Sequence, residues 1–97
     1  MIEKNGDGLC VKGPMLIANA SALLDAGRDF LLATAGTKEI LFDLSSVEET
    51  DSSALSVVFG LLRTARDRGL VMRVAHPPAS MISQAELYGV SDSLPLA

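Results

Sequence analysis

Hydrophobic and polar positions change their spacing along the chain, and each change marks a predicted element. Residues 8 to 13 alternate with the period of a half-buried strand, and NGDG at residues 5 to 8 predicts a turn after an edge strand at residues 1 to 4. Residues 38 to 45, KEILFDLS, contain a continuous apolar run, which is typical of a strand covered on both faces. Residues 70 to 75, LVMRVA, predict another strand.

Three helices are predicted around these strands. The first begins at Asn19, a suitable N-cap, and stops at Gly36. The second, about residues 52 to 67, is the clearest, because at about 100° per residue its apolar side chains share one face: Ala54, Leu55, Val58, Leu61, Leu62 and Ala65. The third has Pro78 in its first turn and ends at Gly89, with an apolar face of Met81, Ile82, Ala85 and Tyr88.

The order of the elements predicts the fold class. Strands and helices alternate as β, α, β, α, β, α behind the edge strand, so we expect an α/β domain with a mixed or mostly parallel sheet. The chain has 97 residues, 48% of them hydrophobic, which is enough for one modest core. We therefore expect residues 1–97 to form a single domain.

Charge and hydropathy narrow the classes of partner. The net charge is −4, and its basic residues are scattered, so the chain lacks the basic footprint of a nucleic-acid binder. No apolar run approaches the ~20 residues that span a bilayer, so direct membrane insertion is not expected. The beginning, MIEKNGDG, does not resemble a signal peptide, and a cytoplasmic location is expected.

Catalytic chemistry finds little support in the sequence. A nucleophilic serine needs a base, and the single histidine, His76, is followed by two prolines. A G-x-S-x-G elbow, a phosphate-binding loop and metal-ligand spacing are all missing from the sequence. The single cysteine, Cys10, is expected to pack in a strand. We therefore predict no enzymatic activity and neither cofactor nor metal.

The beginning of the second helix, VEETDSSALSVVFGLL, combines acidic residues with a serine pair. One interpretation is structural, because Asp51 or Ser52 can cap the helix and nearby carboxylates gain roughly 0.3–1 kcal/mol from its dipole. Capping does not explain the small residues Ser56 and Gly60 opposite the apolar face. Such a stripe would let another protein approach closely, so the second interpretation is a docking surface.

The stretch LFDLSSVEETDSSALSVVFGLLRTARDRGLVMRVA resembles the core of STAS domains, the family of anti-sigma-factor antagonists. Their hallmark is a strand ending in Asp-Leu, a loop, and D-S-S-G-L or D-T-G-G-L at a helix start; here these are Asp43-Leu44 and residues 51–55, DSSAL. The resemblance covers about residues 8 to 92 and implies a mostly parallel mixed sheet with helices mainly on one face. The segments ANASALLDAG and AELYGVSDSLP look like the MlaB-like, toluene-tolerance branch.

That branch implies a non-enzymatic subunit that binds and regulates the ATPase of an Mla-type phospholipid-transport ABC transporter, and through it reaches the membrane. The alternative is an anti-sigma-factor antagonist whose kinase partner phosphorylates Ser52. The sequence departs from the family pattern twice: Ala54 replaces the family glycine, and GPM at residues 13 to 15 replaces an acidic position. The second departure counts against kinase control. The resemblance and the helix face together predict one partner-binding set: Asp51, Ser52, Ser53, Ser56, Phe59, Gly60 and Arg63.

Overall fold

The computed structural model describes residues 1–6, 8–35 and 39–97, and its centre is a four-stranded sheet. The strands are β1 (Ile2–Asn5), β2 (Gly8–Val11), β3 (Glu39–Asp43) and β4 (Val71–Ala75), in the spatial order β1-β2-β3-β4. The β1 strand pairs antiparallel with β2, whereas β2, β3 and β4 are mutually parallel. The predicted α/β class, the mixed and mostly parallel sheet and the edge strand are confirmed.

Three α-helices join and follow these strands. They are α1 (Ala20–Ala33), α2 (Ser52–Asp67) and α3 (Ala79–Leu87), with short 3-10 turns at Ile17–Asn19 and Ser91–Ser93. Asn19 is the N-cap residue of α1 as predicted. Its side chain forms hydrogen bonds with the backbone of Pro14 and Leu16 in the preceding loop, and none with the helix. The predicted stop at Gly36 lies outside the described residues. In the described ranges, no helix has the length and apolarity needed to cross a bilayer.

The helices cover one face of the sheet, and this overturns the prediction that β3 is covered on both faces. Ile40 and Phe42 are completely buried, while Leu41 between them is 45% exposed. The reason is topological. Successive strands β2, β3 and β4 are added in one direction, and right-handed crossovers then place α1 and α2 on the same face. The side chain of Leu41 belongs to the open face.

The apolar face of α2 lies in the core as predicted, with one exception. Ala54, Leu55, Val58, Leu61 and Ala65 are buried, but Leu62 is only half-buried at the edge of the core. The predicted apolar face of α3 is also wrong at one position. Tyr88 follows the last helical residue as the C-cap and is 58% exposed, because the helical period no longer sets its direction there. Pro78 is the N-cap of α3 and precedes its first turn.

Candidate functional site

The site begins where the acidic loop enters α2, and Asp51 fixes that entry. Its Oδ1 accepts a hydrogen bond from the backbone N–H of Ser53 at 2.8 Å, which caps the helix. Its Oδ2 accepts from the backbone N–H of Ile17 at 2.9 Å, 34 residues away in sequence. Asp51 is therefore the cap that the sequence allowed, and it also ties α2 to the loop before α1.

The pKa of Asp51 is lowered from its ordinary value of 3.8, chiefly by the hydrogen bond from Ile17 and further by those from Ser53. Hydrogen bonds from these N–H groups favour the ionised carboxylate, because its oxygens accept more strongly when charged than when the group is protonated. The carboxylate is therefore ionised at neutral pH and adds a fixed negative charge beside Ser52.

Backbone pairing with the same segment before α1 also holds this helix start. Met15 and Thr50 form an isolated parallel bridge, in which the N–H of Met15 donates to Glu49 at 2.9 Å and the N–H of Asp51 donates to Met15 at 3.3 Å. The hydroxyls of Thr50 and Ser80 share a hydrogen bond of 2.6 Å, which attaches the loop to α3. The start of α2 is thus held by two neighbouring segments, residues 15 to 17 and α3.

Ser52 is the first residue of α2 and its side chain is exposed. Across the described part of the chain, its hydroxyl makes no hydrogen bond. Ser53, whose N–H carries the cap, is half-buried, and Ser56 one turn later is exposed. A partner can therefore reach the hydroxyls of Ser52 and Ser56 directly.

Most of the predicted partner-binding residues line one open groove of about 630 Å³ along α2. Its lining comprises Ser52, Ser53, Leu55, Ser56, Phe59, Gly60, Arg63, Tyr88 and Val90. Six of the seven predicted residues are in that set, and the seventh, Asp51, caps the helix at its end. The helix face predicted as a docking surface is thus a concave surface.

The prediction that Gly60 is exposed for contact with a partner is wrong, because Gly60 is buried within the domain. A Cβ at Gly60 would lie 2.9 Å from Cδ1 of Leu24 on α1. The reciprocal position on α1 is Gly27, where a Cβ would lie 2.6 Å from Cδ2 of Leu61. The glycine therefore serves the α1–α2 crossing, and the backbone of α2 at that point also borders the groove.

A second hollow of about 450 Å³ extends the groove toward the C-terminal end of α2. It shares Phe59, Arg63 and Val90 with the first hollow and adds Leu62, Arg66, Ser93 and Pro95. The two hollows form one continuous surface, which we call the α2 groove. Its floor is α2, and one wall is the segment from Tyr88 to Pro95.

Sequence reasoning missed that wall. The sequence predicts Tyr88 on the apolar face of the third helix and predicts no role for the tail after Gly89, yet Tyr88 and Val90 line the groove. The available signal was Gly89, whose backbone has φ of 71° and turns the chain back after α3. A left-handed glycine just after a short helix indicates that the chain changes direction. It does not indicate which element the chain then contacts.

Other candidate chemistry is sparse. Cys10 is buried in β2 as predicted. His76 follows β4 with φ of 54°, and its Nδ1 lies 3.3 Å from Oδ1 of Asp43, whose pKa is lowered chiefly by the backbone N–H of Ser45. Over residues 1–6, 8–35 and 39–97, no group of three or more His, Cys, Asp or Glu side chains is arranged to hold a metal ion.

Solved structures with this fold include several anti-sigma-factor antagonists. A candidate anti-sigma-factor antagonist from Thermotoga maritima has a TM-score of 0.77 at 20% identity, covering 99% of this chain and 83% of the other. The Bacillus antagonist SpoIIAA, unphosphorylated, has a TM-score of 0.74 at 14% identity, covering 100% and 86%; its phosphorylated form also matches, with a TM-score of 0.70. At these identities the likeness establishes the fold alone.

A transporter protein is also among the structural relatives. A sulfate transporter family protein from Wolinella succinogenes matches with a TM-score of 0.69 at 15% identity, covering 91% of this chain and 70% of the other. No curated protein sequence matches the chain significantly. The model of one family, described as "Mlab, STAS domain", matches residues 2–96. Because that match spans almost the whole chain and the fold agrees with it, the protein belongs to the STAS-domain family.

Proposed function

We propose that the protein is a non-enzymatic, single-domain STAS subunit that binds and regulates the ATPase subunit of an Mla-type phospholipid-transport ABC transporter. The contact surface is the α2 groove, with Asp51 and Ser52 at its N-terminal end. The observation that carries the proposal is the convergence of Ser52, Ser56 and Arg63 on one open groove. The Mlab description of the matching family supports the choice of partner.

The proposal assigns no bond-making to the chain. STAS domains act by contact with other proteins, and the groove offers hydroxyls, an aromatic edge and a guanidinium group rather than a nucleophile beside a base. His76 lies at the end of β4, and neither hollow of the groove includes it. The protein would reside in the cytoplasm and reach the membrane only through the transporter.

Isothermal titration calorimetry against the ATPase subunit of the source organism tests the proposal. Ser56→Trp fills the groove from an exposed position, and we expect it to weaken binding at least tenfold while the fold, followed by circular dichroism, is kept. Ala22→Trp, an equally bulky substitution at an exposed position of α1 beside Met1 and Ile2, is the control and should bind like the parent. An ATPase subunit that does not bind the parent protein refutes the transporter role, and equal binding by both variants refutes the site.

A second candidate function is an anti-sigma-factor antagonist controlled by phosphorylation of Ser52. The observation in its favour is the exposed hydroxyl at the first position of α2, where backbone N–H groups favour an anion. Against it, a phosphoryl group adds about 1.5 to 2 negative charges beside the ionised Asp51 and the exposed Glu48 and Glu49. Mass spectrometry of the native protein and its co-purified partners separates the two functions: phosphoserine with a serine kinase, or an ABC ATPase with a permease.

A further inference from the structure

The C-terminal half of the α2 groove has a chemistry different from its serine-rich beginning. Phe59, Leu62, Arg63 and Arg66 follow one another at i, i+3, i+4 and i+7, so they form one ridge of the helix. All four line the hollow of about 450 Å³, together with Val90, Ser93 and Pro95. An apolar trough is thus bordered by two guanidinium groups.

The two arginines have no acidic partner in the described ranges. Salt bridges there join Arg73 to Glu39 and His76 to Asp43, both away from the groove, and neither Arg63 nor Arg66 has a carboxylate within 4.0 Å. Arg66 lies in the last turn of α2, where a cation is favourable for the helix dipole. Interaction with the helix dipole does not explain the presence of Arg63. It also does not explain why apolar side chains and the Tyr88–Pro95 wall lie beside the two arginines.

Charge along the groove therefore runs from negative to positive. Glu48, Glu49 and Asp51 stand at its beginning, while Arg63 and Arg66 line its C-terminal half. The exposed Asp67 ends the helix beyond them and is not in the lining. A 16-residue helix is about 24 Å long, at about 1.5 Å per residue, so the two ends are farther apart than the screening length of physiological salt, about 8 Å. Each end consequently interacts with its own part of a partner.

This polarity selects among possible occupants. An anionic membrane surface would meet two arginines but also the acidic loop, on a chain whose net charge is −4. An extended or helical protein segment can instead match the groove locally, with carboxylates at the arginines and apolar side chains against Phe59 and Leu62. Arginine pairs with carboxylates through two parallel hydrogen bonds, which fixes the position of such a segment.

We propose that Arg63 and Arg66, together with the apolar trough of Phe59 and Leu62, clamp an acidic, apolar segment of the partner protein. This inference rests on the proposed function for the identity of the partner as the ATPase subunit. The arginines supply orientation and the trough supplies burial, while the acidic loop rejects the reversed orientation, in which the carboxylates would face Asp51.

Photocrosslinking identifies the occupant directly. Ser93, exposed at the wall of the trough, is replaced by p-benzoylphenylalanine, and the complex with the ATPase subunit is irradiated and sequenced by mass spectrometry. We expect one crosslinked ATPase segment that contains at least two carboxylates beside apolar residues. The same probe at Ala22, an exposed position of α1 beside Met1 and Ile2, is the control and should give no crosslink to the ATPase subunit. A crosslinked segment that is neutral or basic overturns the clamp.

Charge reversal measures the contribution of the arginines. Arg63→Glu and Arg66→Glu should each weaken binding of the ATPase subunit by about tenfold or more at low salt, with a smaller difference at high salt. Lys4→Glu makes the same charge change on β1 and should bind like the parent. If Ser56→Trp abolishes binding while both arginine variants bind like the parent, the clamp is wrong and the proposed function stands. If the parent does not bind the ATPase subunit, the proposed function fails first.

Discussion

At the scale of single residues, Asp51 determines how the acidic loop becomes a helix. One of its carboxylate oxygens caps α2 through Ser53 and the other holds the backbone of Ile17. An asparagine at this position would keep one oxygen acceptor, but its Nδ2 could not accept the second hydrogen bond. The residue thus combines a local capping role, visible in the sequence, with a long-range tie that depends on the fold.

Removal of this carboxylate should lower stability in a pH-dependent way. The folded-state pKa of Asp51 lies below 3.8, so its contribution is complete above that pH and is lost as the pH falls through the folded-state pKa. We expect Asp51→Ala to lower the melting temperature clearly at pH 7, and Asp51→Asn to lower it less. The difference between parent and Asp51→Ala should narrow below pH 3.8.

Glu49→Ala is the matched control for this prediction. It removes the same charge from the same loop, but in the described part of the chain its side chain accepts no hydrogen bond. Thermal unfolding at pH 7 and pH 3 compares the three variants with the parent. A melting-temperature loss in Asp51→Ala that is no greater than that in Glu49→Ala would refute the capping role.

At the scale of elements, the crossing of α1 and α2 relies on two glycines that face each other's leucines. Gly27 is opposite Leu61, which is fully buried, whereas Gly60 is opposite Leu24, which is only half-buried. A leucine at the edge of the core can rotate away from a new methyl group, but one inside the core has no room to do so.

The two glycines should therefore respond differently to the same substitution. Gly→Ala gains about 1 kcal/mol of helix propensity at either site. At Gly27 we expect overpacking of roughly 1–3 kcal/mol to exceed that gain, so Gly27→Ala should be destabilising. Gly60→Ala should be close to neutral, while the larger side chain of Gly60→Leu should destabilise the isolated domain. Urea titrations that rank Gly60→Ala below Gly27→Ala would contradict this account of the crossing.

At the scale of the whole molecule, the C-terminal tail pairs with the outer edge of the sheet at Val74 of β4. The N–H of Val74 donates to Pro95 and the N–H of Ala97 donates to Val74, both at 2.8 Å, so residues 95 to 97 pair with β4. Pro95 also lines the α2 groove, and the tail therefore belongs both to the sheet and to the groove wall.

Deletion of residues 95 to 97 should expose the outer edge of β4. Two lost backbone hydrogen bonds predict a loss of about 1–3 kcal/mol in the free energy of unfolding. An unpaired edge also favours association, so the shortened protein should self-associate as its concentration rises. Leu96→Ala keeps the backbone pairing and is the control. A shortened protein with unchanged stability and a monomeric profile in analytical ultracentrifugation would show that the tail pairing is dispensable.

Sequence pattern alone was enough to predict the order of the elements, to narrow the cap of α2 to Asp51 or Ser52, and to predict the core face of α2 except at Leu62. These features are local: helical periodicity, a side-chain acceptor before a free N–H, and glycines at turns act within a few residues of each other. Six of the seven predicted partner-binding residues line the groove because they share one helix face, and a helix face can be read from spacing alone.

Which side chains those faces meet depends on how the helices and the sheet pack together. Gly60 faces Leu24 of α1, Leu41 belongs to the open face of the sheet, and Val90 and Pro95 arrive at the groove from the tail. These outcomes depend on the handedness of two crossovers and on the direction in which strands are added. A spacing pattern contains neither, because contacts between residues far apart in sequence are set by how whole elements pack.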